Sequence, residues 1–206
     1  MITIGVTGSV GTGKSTVCQM FEKLGAFRLD ADTLAHEALE KGRPPHRRVL
    51  RHFGERILRR SGKIDRARLA QEVFSHPRQL DFLCRVVHPY VIQRMRQGLR
   101  AVRKKDPDAT VVAEVPLLFE AGLESMFDLS VTVVCDAKTQ RVRSRHKGLS
   151  ALQVRLRKRA QWSLAKKRKR SDRVINNQGS LRETARQVRL LWEALQSGRS
   201  LKRKNG

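Results

Sequence analysis

Short apolar runs alternate along the chain with longer segments in which apolar residues recur every three or four positions. Runs rich in β-branched residues predict buried strands of a parallel sheet, and they occupy 2–6, 26–30, 110–119, 129–135 and 172–177. The longer segments have the periodicity of helices that cover a sheet. Strands that alternate with helices in this way are typical of an α/β fold with right-handed crossovers between parallel strands.

The longest stretch without a strand pattern lies between the second and third predicted strands. Residues 31–108 carry helical spacing, interrupted by turn signals at 42–45 and at His88-Pro89, because the residue before a proline disfavours the helix. A basic helical stretch follows the fourth strand, and an amphipathic helix at about 181–195 closes the chain. We therefore expect two helical insertions in a sheet core, one able to hold an acceptor and one able to close over a nucleotide.

The first apolar run leads directly into a glycine-rich loop and a helix. The sequence Gly8-Ser9-Val10-Gly11-Thr12-Gly13-Lys14-Ser15 is the pattern G-x-x-x-x-G-K-[ST] in the strand–loop–helix context that it requires. Glycines let backbone N–H groups curl around a phosphate chain, and the helix N-terminus adds positive partial charge. Lys14 would reach the β- and γ-phosphates, and Ser15 would hold Mg²⁺. To this nucleoside triphosphate site we assign Gly8, Gly11, Thr12, Gly13, Lys14, Ser15 and Thr16.

The chain is strongly basic, with 44 Lys and Arg residues against 19 Asp and Glu and a formal net charge of +25. The positive residues concentrate at 138–173, where Asp172 is the only acid, and the tail at 200–206 adds more. Such a surface suits nucleic-acid phosphates, but proteins that bind single strands also need stacking aromatics. This half of the chain offers only Trp162 and Trp192, which we expect to be packing residues. We expect a mainly solvated basic surface without a dedicated nucleic-acid function.

The chain length and the cysteine positions limit the size of the fold and the cellular compartment that we expect. At 206 residues the chain can bury a substantial α/β core with inserted lobes. It begins without the charged leader of a secretory signal, and no apolar run approaches the roughly 18 residues of a membrane span. Cys18, Cys84 and Cys135 match neither a metal-site spacing nor an even disulfide set, which favours buried reduced thiols. We expect a cytoplasmic protein with no membrane segment, either a monomer or a weak homo-oligomer.

Beyond the phosphate loop, short sequence words occur in a distinctive order. They are DAD at 30–32, KIDRARLAQEVF at 63–74, HP at 88–89, VPLLFEAG at 115–122, GLS at 148–150 and SDRVINNQG at 171–179. With GVTGSVGTGKST at the start, they make the chain resemble the dephospho-CoA kinases of coenzyme A biosynthesis, from Met1 to about Leu195. The resemblance implies transfer of the γ-phosphate of ATP, with Mg²⁺, to the ribose 3′-hydroxyl of dephospho-CoA.

The resemblance also implies an architecture of three parts. A P-loop nucleotide-kinase-like core, a three-layer α/β fold with a parallel sheet, comprises 1–30, 109–136 and 171–206. A helical dephospho-CoA-binding insertion comprises 31–108, and a helical lid comprises 137–170. Ligands of such sheets gather at the carboxyl ends of the strands, so the residues that follow each strand become the candidates for function.

The catalytic candidates are one carboxylate and three cations. Asp32 matches the family carboxylate and is our candidate base for the acceptor hydroxyl, although an Asp at a helix start is also a favoured N-cap. Lys14, Arg143 and Arg157 are the candidates for neutralising phosphate charge, and Arg143 is chosen by its spacing from Gln140.

The remaining candidates contact the two substrates. His88, Pro116, Leu117 and Leu118 are the candidate acceptor-binding residues, although a His before proline also marks helix boundaries and the leucines also suit a core. Asn177 is the candidate for the adenine pocket, with a turn-capping Asn as the alternative.

Two residues depart from the usual family pattern, since Glu114 stands in place of Asp and His36 in place of Arg. Asp30 and Glu114 end strands, and they could support the metal through water or serve only as turn and sheet-edge residues. Two rival functions stay open: another small-molecule or nucleotide kinase of the same fold, and a basic nucleic-acid-binding NTPase.

Overall fold

The structure of this protein, a computed structural model, describes residues 1–198. The basic tail singled out in the sequence lies outside the described residues. The chain forms two compact units. Met1–Asp30 together with the chain from Ala101 onward makes up the sheet unit, and Ala31–Arg100 makes up the helical unit.

The sheet unit is built on five parallel strands in the order β2-β3-β1-β4-β5. The strands are β1 (Ile2–Gly8), β2 (Phe27–Asp30), β3 (Thr110–Glu114), β4 (Leu129–Val134) and β5 (Arg173–Asn176). Ile4 of β1 pairs with Val112 of β3 on one side and with Leu129 of β4 on the other, so β1 is the central strand. All pairs are parallel, which confirms the predicted α/β fold.

Helices follow the strands and also build the second unit. In chain order they are α1 (Lys14–Lys23), α2 (Ala31–Ala38), α3 (Pro44–Phe53), α4 (Arg66–Ser75), α5 (Pro77–Lys105), α6 (Ala137–His146), α7 (Ala151–Arg159), α8 (Leu164–Arg170) and α9 (Leu181–Gln196). Ser150 and Ser180 start α7 and α9 as capping boxes with Gln153 and Glu183. The starts of these helices are therefore fixed by local sequence.

The core of the sheet unit lies between the sheet and the helices α1 and α9. Val17 and Phe21 of α1 and Val188 of α9 pack against the strands and are fully buried. Burial of such a side chain stabilises the folded state by about 1.5–3 kcal/mol. Trp192 packs against the same cluster, as expected for a packing residue.

A separate apolar cluster holds the helical unit together. It joins Val49 and Phe53 of α3, Leu69 of α4 and Val86 of α5. Val49 and Phe53 are four positions apart, so both lie on the same face of their helix. The helical unit therefore has a core of its own.

The interruption predicted at His88-Pro89 is wrong, because α5 runs through it as one helix of 29 residues. A proline inside a helix removes a backbone hydrogen bond and crowds the preceding turn, at a cost of about 3 kcal/mol. Val86, Val91 and Met95 lie on both sides of Pro89 and are buried. Burial of these apolar side chains before and after Pro89 offsets the local cost of a proline inside the helix.

The three cysteines are free thiols. Cys18 and Cys135 are buried and Cys84 is half-buried, and burial raises the pKa of each thiol. They are therefore protonated at neutral pH. Within residues 1–198, no helix has both the length and the apolar character to cross a membrane.

Candidate active site

The phosphate-loop sequence leaves the central strand at Gly8 and leads into α1. Gly11 and Gly13 have backbone φ angles of +79° and +89°, in the left-handed region that favours glycine. A Cβ atom at Gly11 would overlap the carbonyl oxygen of Gln140, and one at Gly13 would overlap the side-chain amide nitrogen of Asn177. The loop is therefore a bare-backbone cradle enclosed by neighbouring chain, the form that a bound phosphate chain requires.

Asn177 braces this loop from a distant part of the chain. Its buried side-chain amide donates to the carbonyl oxygen of Thr12 at 2.8 Å, and its amide oxygen accepts from the Thr184 hydroxyl at 2.9 Å. The Thr12 hydroxyl in turn donates to the Ser9 carbonyl oxygen at 2.9 Å. The side chain of Asn177 thus bonds to the loop and to α9, and its assignment to the adenine pocket stays a prediction.

Lys14 is the first residue of α1, and its side chain is buried. The ammonium group donates to the Ser9 carbonyl oxygen at 3.1 Å, which holds it over the loop. A cation in the first turn opposes the helix dipole, and this turn of α1 contains no acidic residue. An anion in the loop would remove the conflict, so the position of Lys14 favours a phosphate ligand. Thr16 lies in the same turn and is half-buried.

Ser15 and Glu114 bring oxygen atoms together at the start of α1. The Ser15 hydroxyl donates to the Glu114 carboxylate at 2.9 Å, and Glu114 ends β3 as a buried residue. Arg28 compensates the buried charge, because its guanidinium lies 3.2 Å from Glu114 and 3.4 Å from Asp30. No group of three or more His, Cys, Asp or Glu in the described chain could enclose a metal ion. A site with so few protein oxygen ligands is suitable for Mg²⁺, because this ion keeps several bound waters and takes phosphate oxygens as further ligands.

Helix α6 presents one arginine to the loop. The guanidinium of Arg143 donates to the Asn177 carbonyl oxygen at 2.8 Å, and a Cβ at Gly13 would lie 3.6 Å from the same nitrogen. Arg141 and Arg145 are exposed, and helical geometry turns them to another side of α6. Arg157 is exposed in α7 and makes no hydrogen bond to the loop within the part of the chain that is described. The structure thus brings Arg143, and not Arg157, into contact with the loop region.

Residues 116–120 follow β3 and are the candidate wall of the acceptor site, called the acceptor wall below. Pro116 and Leu117 are half-buried. Leu118 is fully buried, and its side chain lies 3.2 Å from the position of a Cβ on Gly5. Of the two interpretations of Leu118 that the sequence left open, its burial favours the core.

Lys167 is a buried cation to which the sequence analysis assigned no role. Its ammonium donates to the Pro116 carbonyl oxygen at 2.6 Å and to the Thr7 hydroxyl at 3.1 Å, and it lies 3.0 Å from the Glu120 carboxylate. Burial lowers the pKa of Lys167, while the hydrogen bond and charge of Glu120 raise it. In the sequence Lys167 matches the family pattern, but it is one of many cations in α8, so neither charge nor spacing indicates its burial or its role.

Two candidates, Asp32 and His88, belong to the helical unit. Asp32 lies in the first turn of α2, and its side chain is exposed. His88 is half-buried in α5, and burial lowers the pKa of its imidazole, so the ring is neutral at pH 7. An exposed carboxylate at a helix start is accessible to a ligand.

Known proteins resemble the chain over nearly its whole length. The sequence model of dephospho-CoA kinase matches residues 2–183. A dephospho-CoA kinase of Moorella thermoacetica is 38% identical over 198 residues, which are 95% of this chain and 93% of that protein. A crystal structure of a Thermus thermophilus protein superposes with a TM-score of 0.77 at 35% identity, covering 94% of this chain and 97% of that one. A Campylobacter jejuni dephospho-CoA kinase shares the fold, with a TM-score of 0.70 at 22% identity over 96% and 98% of the two chains. This chain belongs to the dephospho-CoA kinase family.

Proposed function

We propose that this protein transfers the γ-phosphoryl group of ATP to the ribose 3′-hydroxyl of dephospho-CoA, giving CoA and ADP. Membership of the family supports the reaction. The observation that carries the proposal is the loop at Gly11 and Gly13, whose backbone is enclosed by Asn177 and α6 and faces the buried ammonium of Lys14. That arrangement is suited to the polyphosphate of a nucleotide.

On the donor side, each residue acts through charge or hydrogen bonding. The loop N–H groups and Lys14 bind the β- and γ-phosphates, and Arg143 neutralises charge that develops between them. Arg157 joins the donor site only through a rearrangement of α7, because it is exposed and makes no bond to the loop in this structure. Asn177 keeps the loop in its binding conformation through Thr12.

Ser15 and Glu114 are the residues that would hold Mg²⁺. Ser15 would be a direct ligand, and Glu114 would orient a metal-bound water, since its carboxylate already accepts from the Ser15 hydroxyl. The bound metal would supply positive charge that offsets the negative charge of the phosphates. The Arg28 guanidinium, 3.2 Å from the Glu114 carboxylate, compensates the negative charge of Glu114 there.

Glu114→Gln is expected to raise the Mg²⁺ concentration for half-maximal activity by about tenfold or more, because an outer-shell partner of the metal loses its charge. Activity is measured across a Mg²⁺ titration at saturating ATP. Glu22→Gln is the matched control, since exposed Glu22 contacts the same Arg28 at 3.9 Å. An unchanged Mg²⁺ requirement in Glu114→Gln would remove Glu114 from the proposed metal site.

On the acceptor side, we propose that Asp32 orients the 3′-hydroxyl and takes its proton. His88, as a neutral imidazole, Pro116 and Leu117 contact dephospho-CoA. Leu118 supports that wall from the core, as its burial indicates.

Direct product analysis tests the function. The protein is mixed with ATP, Mg²⁺ and dephospho-CoA, and CoA is expected by mass together with an equal amount of ADP. Parallel reactions replace dephospho-CoA with shikimate, nucleoside monophosphates, DNA or RNA. ADP release that depends on one of these and not on dephospho-CoA would overturn the proposal in favour of another kinase or of a nucleic-acid-dependent NTPase.

The proposed function also suggests a compartment and an oligomeric state. We propose that the protein works in the cytoplasm as a monomer or weak homo-oligomer. The basic surface then serves anionic small molecules and solvation, without a dedicated nucleic-acid partner.

A further inference from the structure

The ammonium group of Lys167 is fully enclosed, and so it cannot touch a substrate. Enclosing a lysine charge costs free energy unless its donors are satisfied. Here all three donors have partners, which are the Pro116 carbonyl, the Thr7 hydroxyl and the Glu120 carboxylate. These partners belong to two segments that the proposed function uses, the end of β1 and the segment after β3.

Thr7 directly precedes Gly8, where the phosphate loop leaves the central strand. Its hydroxyl also donates to the Pro116 carbonyl oxygen at 3.2 Å, so Thr7, Pro116 and Lys167 form a closed set of hydrogen bonds. The donor loop and the proposed acceptor wall are therefore joined through one buried cation.

Glu120 extends this connection to the turn between α7 and α8. The carboxylate oxygen that contacts Lys167 also accepts from the Trp162 backbone N–H at 2.6 Å. The ring of Phe119 is stacked with that of Trp162, with centroids 6.1 Å apart. Glu120 thus ties the end of the acceptor wall to the chain that leads into α8.

Helix α8 is in turn fixed to the sheet. It packs against β1 and β4, and the Thr132 hydroxyl of β4 donates to the Lys167 carbonyl oxygen at 3.3 Å. The ammonium of Lys167 is therefore carried by a helix that is packed on the sheet and hydrogen-bonded to it.

We propose that Lys167 and Glu120 are a positioning pair that sets the acceptor wall, residues 116–120, at a fixed distance from the phosphate loop. The inference rests on the proposed function. It predicts that weakening the pair impairs use of dephospho-CoA much more than use of ATP, because the loop has its own brace in Asn177 and Thr12.

Glu120→Gln is the first variant to examine. Glutamine keeps the shape of Glu120, and its nitrogen can take the place of Oε2, which is buried without a hydrogen-bond partner in the described structure. We expect the KM for dephospho-CoA to rise about tenfold, the effect of weakening one buried charged hydrogen bond, while the KM for ATP stays within about twofold. Lys167→Met, which removes the ammonium donor from three acceptors at once, should act in the same direction and more strongly.

Glu124→Gln is the matched control. Glu124 pairs at 3.1 Å with Arg170, which lies on α8 like Lys167, but this pair is exposed. It should change neither KM. The double variant Glu120→Gln/Lys167→Met should be no worse than Lys167→Met alone, since partners in one network are not additive. If Lys167→Met does not fold, Glu120→Gln still decides the matter.

Equal rises in both KM values, or a lower melting temperature with unchanged KM values, would mean a merely structural pair and would overturn the inference alone. A wild-type protein that makes no CoA in the same assay would overturn the proposed function, and this inference with it.

Discussion

Lys14→Met is expected to lower kcat by about a thousandfold or more. Methionine nearly matches the length of lysine and suits a buried position, so the helix and its core contacts should persist. What is lost is the ammonium group held at the Ser9 carbonyl, which would face the γ-phosphate as it transfers. Rates of ADP and CoA formation at saturating substrates measure the effect.

Lys23→Met is the matched control for Lys14. Lys23 is an exposed lysine in the last turn of the same helix. The control should keep wild-type kcat and unfolding temperature. A near-normal kcat in Lys14→Met would contradict the assignment of the loop as the phosphate site.

Asp32→Asn is expected to lower kcat by about 10²- to 10⁴-fold, the usual contribution of a general base. Asparagine keeps the size of the side chain and its ability to accept a hydrogen bond, but it cannot take a proton from the 3′-hydroxyl. The KM for ATP should change by less than about twofold, because Asp32 is assigned to the acceptor. Steady-state kinetics with each substrate varied in turn separates the two effects.

Asp81→Asn provides the comparison for Asp32. Asp81 is an exposed carboxylate of the helical unit, 3.2 Å from Arg85 on the same helix. Its loss should leave kcat unchanged. If Asp32→Asn also kept full kcat, Asp32 would be excluded as the base. Its negative charge would then interact only with the dipole of α2.

The sequence was most informative where function depends on a local pattern. The glycine spacing and Lys14 specified a strand, a loop and a helix in that order, and the structure has β1, the loop and α1 at those positions. Continuous apolar runs similarly identified β3 and β4 as buried parallel strands. Such features are encoded within a few residues, so a single sequence is enough to read them.

The sequence was least informative where two distant segments meet. Asn177 donates to Thr12 across 165 positions of chain, and Lys167 reaches Thr7 across 160. No periodicity encodes such a pair, because the contact exists only once the sheet has formed. The helix through Pro89 is similar, since burial of residues on both sides outweighs a local rule.

The central place of β1 has a consequence for how the protein loses activity. Strands with neighbours on both sides and a fully buried interior, as at Ile4 and Val6, exchange their amide protons only when the whole domain opens. The phosphate loop begins at this strand, so partial fraying at the sheet margins leaves it in place. Heat inactivation should therefore coincide with cooperative melting of the sheet unit, and nucleotide should protect against both by mass action.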